Sequence, residues 1–455
     1  MANSPRKGVI YAPWERTFDR FLSPFEEFIH RQTTSGLLLM GTALIALALA
    51  NSDLATAYTH LTHLPIGVQI GDWSLRMSLH HWVNDGLMAL FFFVVGMELK
   101  REILVGELAD LRQAALPICA AIGGMVVPAL IYFAFNPSGD AARGWGIPMA
   151  TDIAFAVGVL VLLASRVPKA LITFLVALAI VDDLGAVLVI AIFYTKTLAM
   201  HWLAASAALL VMLALLNLAG IRKVIPYFLL AVLLWYALLQ SGVHATLAGV
   251  LGAFSVPARP KYDPGLFSEL MKKMIARFDA SNRPGTNIMT NDDLLTLVQA
   301  LTTTARKVQT PLQRLEHLWH MPVAFLVIPI FALINAGTPL HLASLADSVL
   351  HPVALGVTAG LVLGKFIGIA GASALALRLN IAQLPTGTRF AHISAVSLLA
   401  GIGFTMSIFI AELGFADQPA DLLMAKTGVL AASLLSGSLG FVWLWWLGRP
   451  GQTPQ

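Results

Sequence analysis

Between Lys169 and Tyr194 the chain reads KALITFLVALAIVDDLGAVLVIAIFY, a 26-residue run whose only interior charges are two adjacent carboxylates, Asp182 and Asp183. As a helix the run is about 39 Å long, enough to cross a bilayer. A single aspartate at the centre of a spanning helix opposes insertion by roughly 2.5–3.5 kcal/mol. Two ionised neighbours also repel each other. A helix that served only for packing would be more stable without either. An ionisable group at such depth marks an ion or proton pathway.

The composition agrees with a membrane location. Of 455 residues, 57% are apolar and 12% charged, against about 25% charged in a soluble domain. The fold class is therefore all-α, a polytopic membrane protein. The first apolar segment follows about thirty more polar residues and is long enough to stay in the bilayer, so no cleaved signal peptide is expected. A single cysteine, Cys119, excludes an internal disulfide and a thiolate metal cluster. The net charge of +4 and pI of 9.2 are ascribed to basic cytoplasmic loops rather than to nucleic-acid binding.

Hydropathy divides the chain into five parts. Residues 1–33 form a cytoplasmic N-terminal segment, with an amphipathic interfacial helix over Trp14 to Arg31. Spans one to eight occupy 34–256, and 257–318 is a long cytoplasmic insert with short amphipathic helices over Leu266–Phe278 and Leu294–Val308. Spans nine to twelve occupy 319–447, and 448–455 is a cytoplasmic tail. The twelve spans are 34–50, 82–99, 114–135, 148–164, 169–194, 202–219, 224–240, 243–256, 321–337, 353–376, 391–413 and 422–447. With both termini inside, 24 of the 29 lysines and arginines are cytoplasmic; Arg76, Arg143, Lys196 and Lys426 lie outside and Lys365 within a span. That asymmetry is what the positive-inside rule requires.

Spans four and eleven carry signs of interruption. The first holds Pro148-Met149-Ala150-Thr151-Asp152, the second Gly401-Ile402-Gly403-Phe404-Thr405. Both read as half-helices meeting an unwound centre, or alternatively as close packing at small residues. The seven-span separation fits inverted repeats of spans three to five and ten to twelve.

Asp152, Asp182, Asp183 and Lys365 all fall at mid-membrane depth. Unpaired, four such groups cost on the order of 10–14 kcal/mol, as much as the whole stability of a domain. Pairing Lys365 with one aspartate relieves part of this and leaves two carboxylates over. Carboxylates are hard oxygen ligands suited to small hard cations, and a carboxylate taken out of water holds a proton more readily. A site that takes either a cation or protons, and faces the two sides in turn, performs antiport. Asp182 and Asp183 are accordingly expected to hold a transient Na+, with no resident metal or cofactor.

Other charges are weaker signals. Asp85 is a mouth or interfacial residue at the external end of span two. Glu98, Lys100, Arg101 and Glu102 at its cytoplasmic end are snorkelling charges or an entry funnel. His244, and Glu316 with His317 and His320, are interfacial or pH-sensing, and Glu412 is interfacial. Gly364-Lys365 lacks the spacing and the following Ser or Thr of a phosphate loop.

Several stretches carry a resemblance to a known family. They are Trp82-Val83-Asn84-Asp85-Gly86-Leu87-Met88, Val95-Gly96-Met97-Glu98-Leu99-Lys100-Arg101-Glu102 and Ala150-Thr151-Asp152-Ile153-Ala154-Phe155-Ala156. Ala179-Ile180-Val181-Asp182-Asp183-Leu184-Gly185-Ala186, Ser241-Gly242-Val243-His244-Ala245-Thr246-Leu247-Ala248-Gly249, Gly364-Lys365 and Gly401-Ile402-Gly403-Phe404-Thr405-Met406-Ser407 continue the pattern. With these the chain resembles the NhaA-type sodium/proton antiporters of bacterial inner membranes.

The resemblance implies twelve spans with inverted repeats, spans four and eleven being discontinuous and crossing. It implies electrogenic, pH-regulated exchange of cytoplasmic Na+ or Li+ for external H+. Asp183 would be the principal carboxylate, with Asp182 beside it and paired to Lys365. Asp152 and Lys365 would offset half-helix dipole ends, with Thr151 nearby. Asp85, Glu98, Arg101, Glu102, His244 and Glu316 would serve the funnels and the pH response. It also implies a homodimer in the inner membrane, through the region Leu64–Leu79. The insert is some forty residues longer than the family's usual connection there.

Two other readings use the same residues. A cation channel needs rings of charge or carbonyls along a pore, whereas these charges are few and at one depth. An organic-anion symporter would want buried arginine, which the spans do not supply. No nucleophile and base occur together as an enzyme would need.

Overall fold

The computed structural model describes residues 32–71, 73–195, 198–281, 291–339 and 345–448. In chain order the helices are α1 Gln32–Ala50, α2 Ala55–Thr62, α3 Met88–Val105, α4 Leu111–Phe135, α5 Ile153–Leu162, α6 Lys169–Phe193, α7 Met200–Leu218, α8 Val224–Ser241 and α9 Leu247–Ser255. They continue as α10 Pro264–Ser281, α11 Asp292–Val308, α12 Pro311–Pro322, α13 Ile328–Asn335, α14 Leu345–Leu350, α15 Pro352–Ala359, α16 Lys365–Arg378, α17 Phe390–Leu399, α18 Phe404–Gly414 and α19 Pro419–Leu447. A 3-10 helix, Asp140–Met149, precedes α5, and π-helical turns precede α3 (Trp82–Leu87), α13 (Val323–Val327) and α16 (Gly360–Gly364). The expected N-terminal amphipathic helix and all but the first residue of the tail lie outside the described residues.

Among the described residues, eight helical runs are long and apolar enough to cross a membrane, or ten if two bent pairs each count as one span. The bent pairs are α1 with α2, at 115°, and α17 with α18, at 49°. The chain is thus a multi-pass helical protein. Two of the twelve expected spans are not among these ten. Residues 243–256 supply only the short α9, and 82–99 are divided between a π-turn and α3, whose second half carries Glu98, Lys100, Arg101 and Glu102.

One sequence expectation needs correction. The all-α reading omitted a hairpin, β1 Pro65–Ile70 antiparallel to β2 Trp73–Ser78, which pairs Pro65 with Ser78 and Ile70 with Trp73. Gly71, at φ +59°, turns the chain between the strands, a conformation glycine adopts without strain. Within the segment expected as the insert, α12 begins at Pro311. Thr310 starts α12 with a capping box, its hydroxyl accepting from Gln313 N–H while the Gln313 side chain accepts from Thr310 N–H, and Pro311 follows as a first helical residue. Within the insert α10 and α11 form where two short helices were expected.

The chain divides into two compact units. One comprises residues 1–55, 116–182 and 335–455; the other comprises 56–115 and 183–334. In the first, α15 and α19, α17 and α19, and α1 and α5 pack together. Its helices approach closely because small residues face each other: a side chain on Gly123 would strike Gly368 O at 2.2 Å, and one on Gly368 would strike Gly123 O at 2.1 Å. This is the small-residue packing of helices that have no hydrophobic drive to associate in lipid. In the second unit α3 and α9 pack most closely, with Met97, Leu234, Leu238, Val256, Leu312 and Val327 in its apolar core.

Candidate ion-binding site

Residues Ala150, Thr151 and Asp152 are non-helical and separate the 3-10 helix from α5. Ala400 to Gly403 separate α17 from α18. The two breaks meet within the first unit. Asp152 N–H donates to Ile402 O at 2.7 Å, and Ser407 Oγ donates to Ile147 O at 2.8 Å.

Asp152 closes this junction. It is buried, and its Oδ1 accepts Phe155 N–H at 3.0 Å, capping α5. Its Oδ2 accepts Thr405 N–H at 3.0 Å and Thr405 Oγ1 at 2.5 Å in the first turn of α18. One carboxylate thus serves the positive N-terminal ends of two helices.

Lys365 begins α16 directly after the π-turn, and its ammonium donates to Asp182 Oδ2 in α6. Both side chains are fully buried. Thr151 Oγ1 lies 2.8 Å from the same Asp182 oxygen and 2.9 Å from Ala400 O, and its single proton serves one of them at a time. Asp182 Oδ1 has no hydrogen-bond partner among the described residues. Asp183, next in α6, is equally buried; successive helical residues point about 100° apart, so the two carboxylates do not share one face.

The remaining predicted residues belong to the second unit. Arg101 pairs with Glu316 and reaches Glu102 at 3.3 Å, while His320 Nδ1 and Glu98 Oε1 are 3.1 Å apart. Lys100 donates to Phe254 O and Val256 O, each at 2.6 Å, and so caps the C-terminal end of α9. Glu98, Arg101, Glu102 and Glu316 therefore form one cluster, with His320 added. Asp85 and His244 are not in it. They lie within electrostatic range of one another, the Asp85 carbonyl accepting Trp235 Nε1 at 2.8 Å and His244 Nε2 lying 2.9 Å from Tyr194 O.

Sequence reading missed several participants. Thr405 and Ser407 were noted only as part of a glycine-rich run. Ser433 Oγ, which accepts Phe404 N–H at 3.2 Å, went unremarked. Glu412 and Lys426, singled out only by their place along the chain, form a largely buried ion pair at 2.5 Å between α18 and α19. The buried stripe Gly428, Ala432, Ser433, Ser436 and Gly440, at helical spacing in α19, was the available signal.

Two breaks joined by hydroxyl and carboxylate hydrogen bonds, with a buried lysine on one aspartate, make up the candidate site. Comparison with known proteins identifies the lineage. The family described as Na+/H+ antiporter 1 matches residues 26–444. The chain belongs to that family. It is 56% identical over 435 residues to the Na(+)/H(+) antiporter NhaA 1 of Saccharophagus degradans, covering 96% of this chain and 94% of that one. The Na(+)/H(+) antiporter NhaA of Sulfurimonas denitrificans is 50% identical over 436 residues, at 96% and 98% coverage. That of Syntrophobacter fumaroxidans is 52% identical over 437 residues, at 95% and 92%. Membership in the Na+/H+ antiporter 1 family supports sodium/proton exchange by a multi-pass membrane transporter.

Proposed function

We propose that this protein exchanges cytoplasmic Na+ or Li+ for external protons, electrogenically and under pH control, for sodium and pH homeostasis. Asp183 is the principal carboxylate, with Asp182, Asp152 and Thr151 completing the site and Lys365 offsetting its charge. The observation that carries this reading is the engagement of Asp182 by both Lys365 and Thr151, fully buried, one residue from Asp183. In this reading a cation or a proton neutralises the buried Asp183 carboxylate, whose ionised form costs free energy away from water.

Several carboxylates within one unit or next to it permit more than one proton per cation. That is the condition for net charge movement, worth about 2.3 kcal/mol per charge per 100 mV. In this reading the chain makes twelve crossings of a bacterial inner membrane as a homodimer, with both termini cytoplasmic. The two breaks lie in discontinuous spans of inverted repeats. Asp85, Glu98, Arg101, Glu102, His244 and Glu316 line the funnels and tune the pH response, and the insert 257–318 is cytoplasmic.

Everted vesicles carrying a pH-gradient dye test it. Sodium or lithium should dequench the dye in vesicles with the unmodified protein, and Asp183→Asn should abolish that signal. Normal exchange by Asp183→Asn would refute the assignment.

A further inference from the structure

Helix α19 contributes to the first unit more than packing. Its Ser433 hydroxyl accepts the Phe404 N–H. Ser436, three residues on and fully buried, has no hydrogen-bond partner for its Oγ among the described residues. A hydroxyl shut away from water without a partner is destabilising, and a bound ion is one of the few things that account for it.

The face of Gly401 beside that hydroxyl carries two further oxygens. A side-chain carbon placed on Gly401 would lie 2.4 Å from Leu361 O, 2.5 Å from Ser436 Oγ and 3.1 Å from Leu398 O. Three oxygens from three elements therefore converge on the bare face of one glycine. Leu398 sits in the last turn of α17, the negative end of its dipole. Leu361 sits in the π-turn that delivers Lys365, where the wider ring re-aims backbone groups. The neighbouring carbonyl, Ala400 O, is 2.9 Å from Thr151 Oγ1, which is 2.8 Å from Asp182 Oδ2. Oxygens thus follow one another from the Asp182 carboxylate to the Gly401 face.

We propose that Ser436 Oγ, with the carbonyls of Leu361 and Leu398, forms a second, transient station for the dehydrated Na+ or Li+ at Gly401, reached from Asp182 by way of Thr151. This rests on the antiport reading above and adds to it a ligand from α19. Neutral oxygens alone suit a small hard cation and replace its hydration shell without trapping it, as passage requires. Hydroxyl and carbonyl oxygens are not basic near neutrality, so protons do not compete for this station as they do for a carboxylate. Ser436 therefore governs cation affinity and leaves the proton side of the cycle untouched.

Ser436→Ala is the test, assayed in everted vesicles beside Asp183→Asn and melted after purification. The apparent KM for Na+ should rise about tenfold. The KM for Li+ should rise by a different factor, because the ions differ in size, and the pH of half-maximal exchange should not move. The melting temperature without sodium should not fall, since an unpartnered hydroxyl is being removed, whereas a hydroxyl that merely joined helices would lower it. KM values within about twofold of the unmodified protein for both cations, a shifted pH profile, or a lowered melting temperature would each overturn the station. Exchange surviving Asp183→Asn would instead overturn the underlying reading, whatever Ser436→Ala does.

Discussion

The two units each hold a carboxylate and a cation brought together from distant parts of the chain, and they treat them differently. In the first unit Lys365 and Asp182 are both fully buried. In the second, Arg101 keeps 40% of its side chain exposed while Glu316 keeps 11%. A pair removed from water has lost all its hydration and depends on protein partners for every lone pair and proton. A pair at the surface is screened by salt and shared with solvent. The same pairing therefore depends wholly on protein partners in one place and is shared with solvent in the other. Burial decides which.

If burial is the deciding variable, the cost of removing one partner should follow it. Lys365→Ala leaves Asp182 buried and unpaired, and should cost about 3–5 kcal/mol in thermal unfolding in detergent. Pairing it with Asp182→Leu should recover most of that stability, though not exchange, because apolar residues replace a buried ion pair well. Single and double variants of equal stability would break the comparison. Lys426→Ala should fall next, on the order of 2 kcal/mol, since Glu412 and Lys426 keep 7% and 13% of their side chains exposed. Its loss of exchange should track the amount of folded protein. Arg101→Ala should cost the least, about 1 kcal/mol or less, and high salt should erase the difference from the unmodified protein. An Arg101→Ala effect matching that of Lys365→Ala would show that exposure does not set the scale.

What was legible in the chain was whatever contrasted with its surroundings. Charge inside apolar runs is conspicuous, so Asp152, Asp182, Asp183 and Lys365 stood out, and Pro148 and Gly401-Ile402-Gly403 drew notice to both breaks. Residues that matched their surroundings did not stand out. Thr405, Ser433 and Ser436 are ordinary small polar residues of packed helices. Glu412 and Lys426 sat near the ends of apolar runs, where charge is expected. The span signal is weakest where it is short or mixed, at α9 and at the charged end of α3. The hairpin of β1 and β2 was overlooked because two strands of six residues, alternating around Gly71, carry far less periodic signal than a helix.

The sequence by itself determined the solvent of this protein and singled out its buried ionisable groups. The apolar excess leaves a helical chain in lipid as the solution, and carboxylates placed there carry an insertion cost that packing alone does not require. Only the tertiary structure decided which groups act on one another. Asp152 joins two helix starts through Thr405, 253 residues away, and Lys365 finds Asp182 across 183 residues. Hydrogen bonds and ion pairs act over a few ångströms of space, whatever the separation along the chain. The meaning of a threonine or a serine is therefore fixed only when the helices have packed.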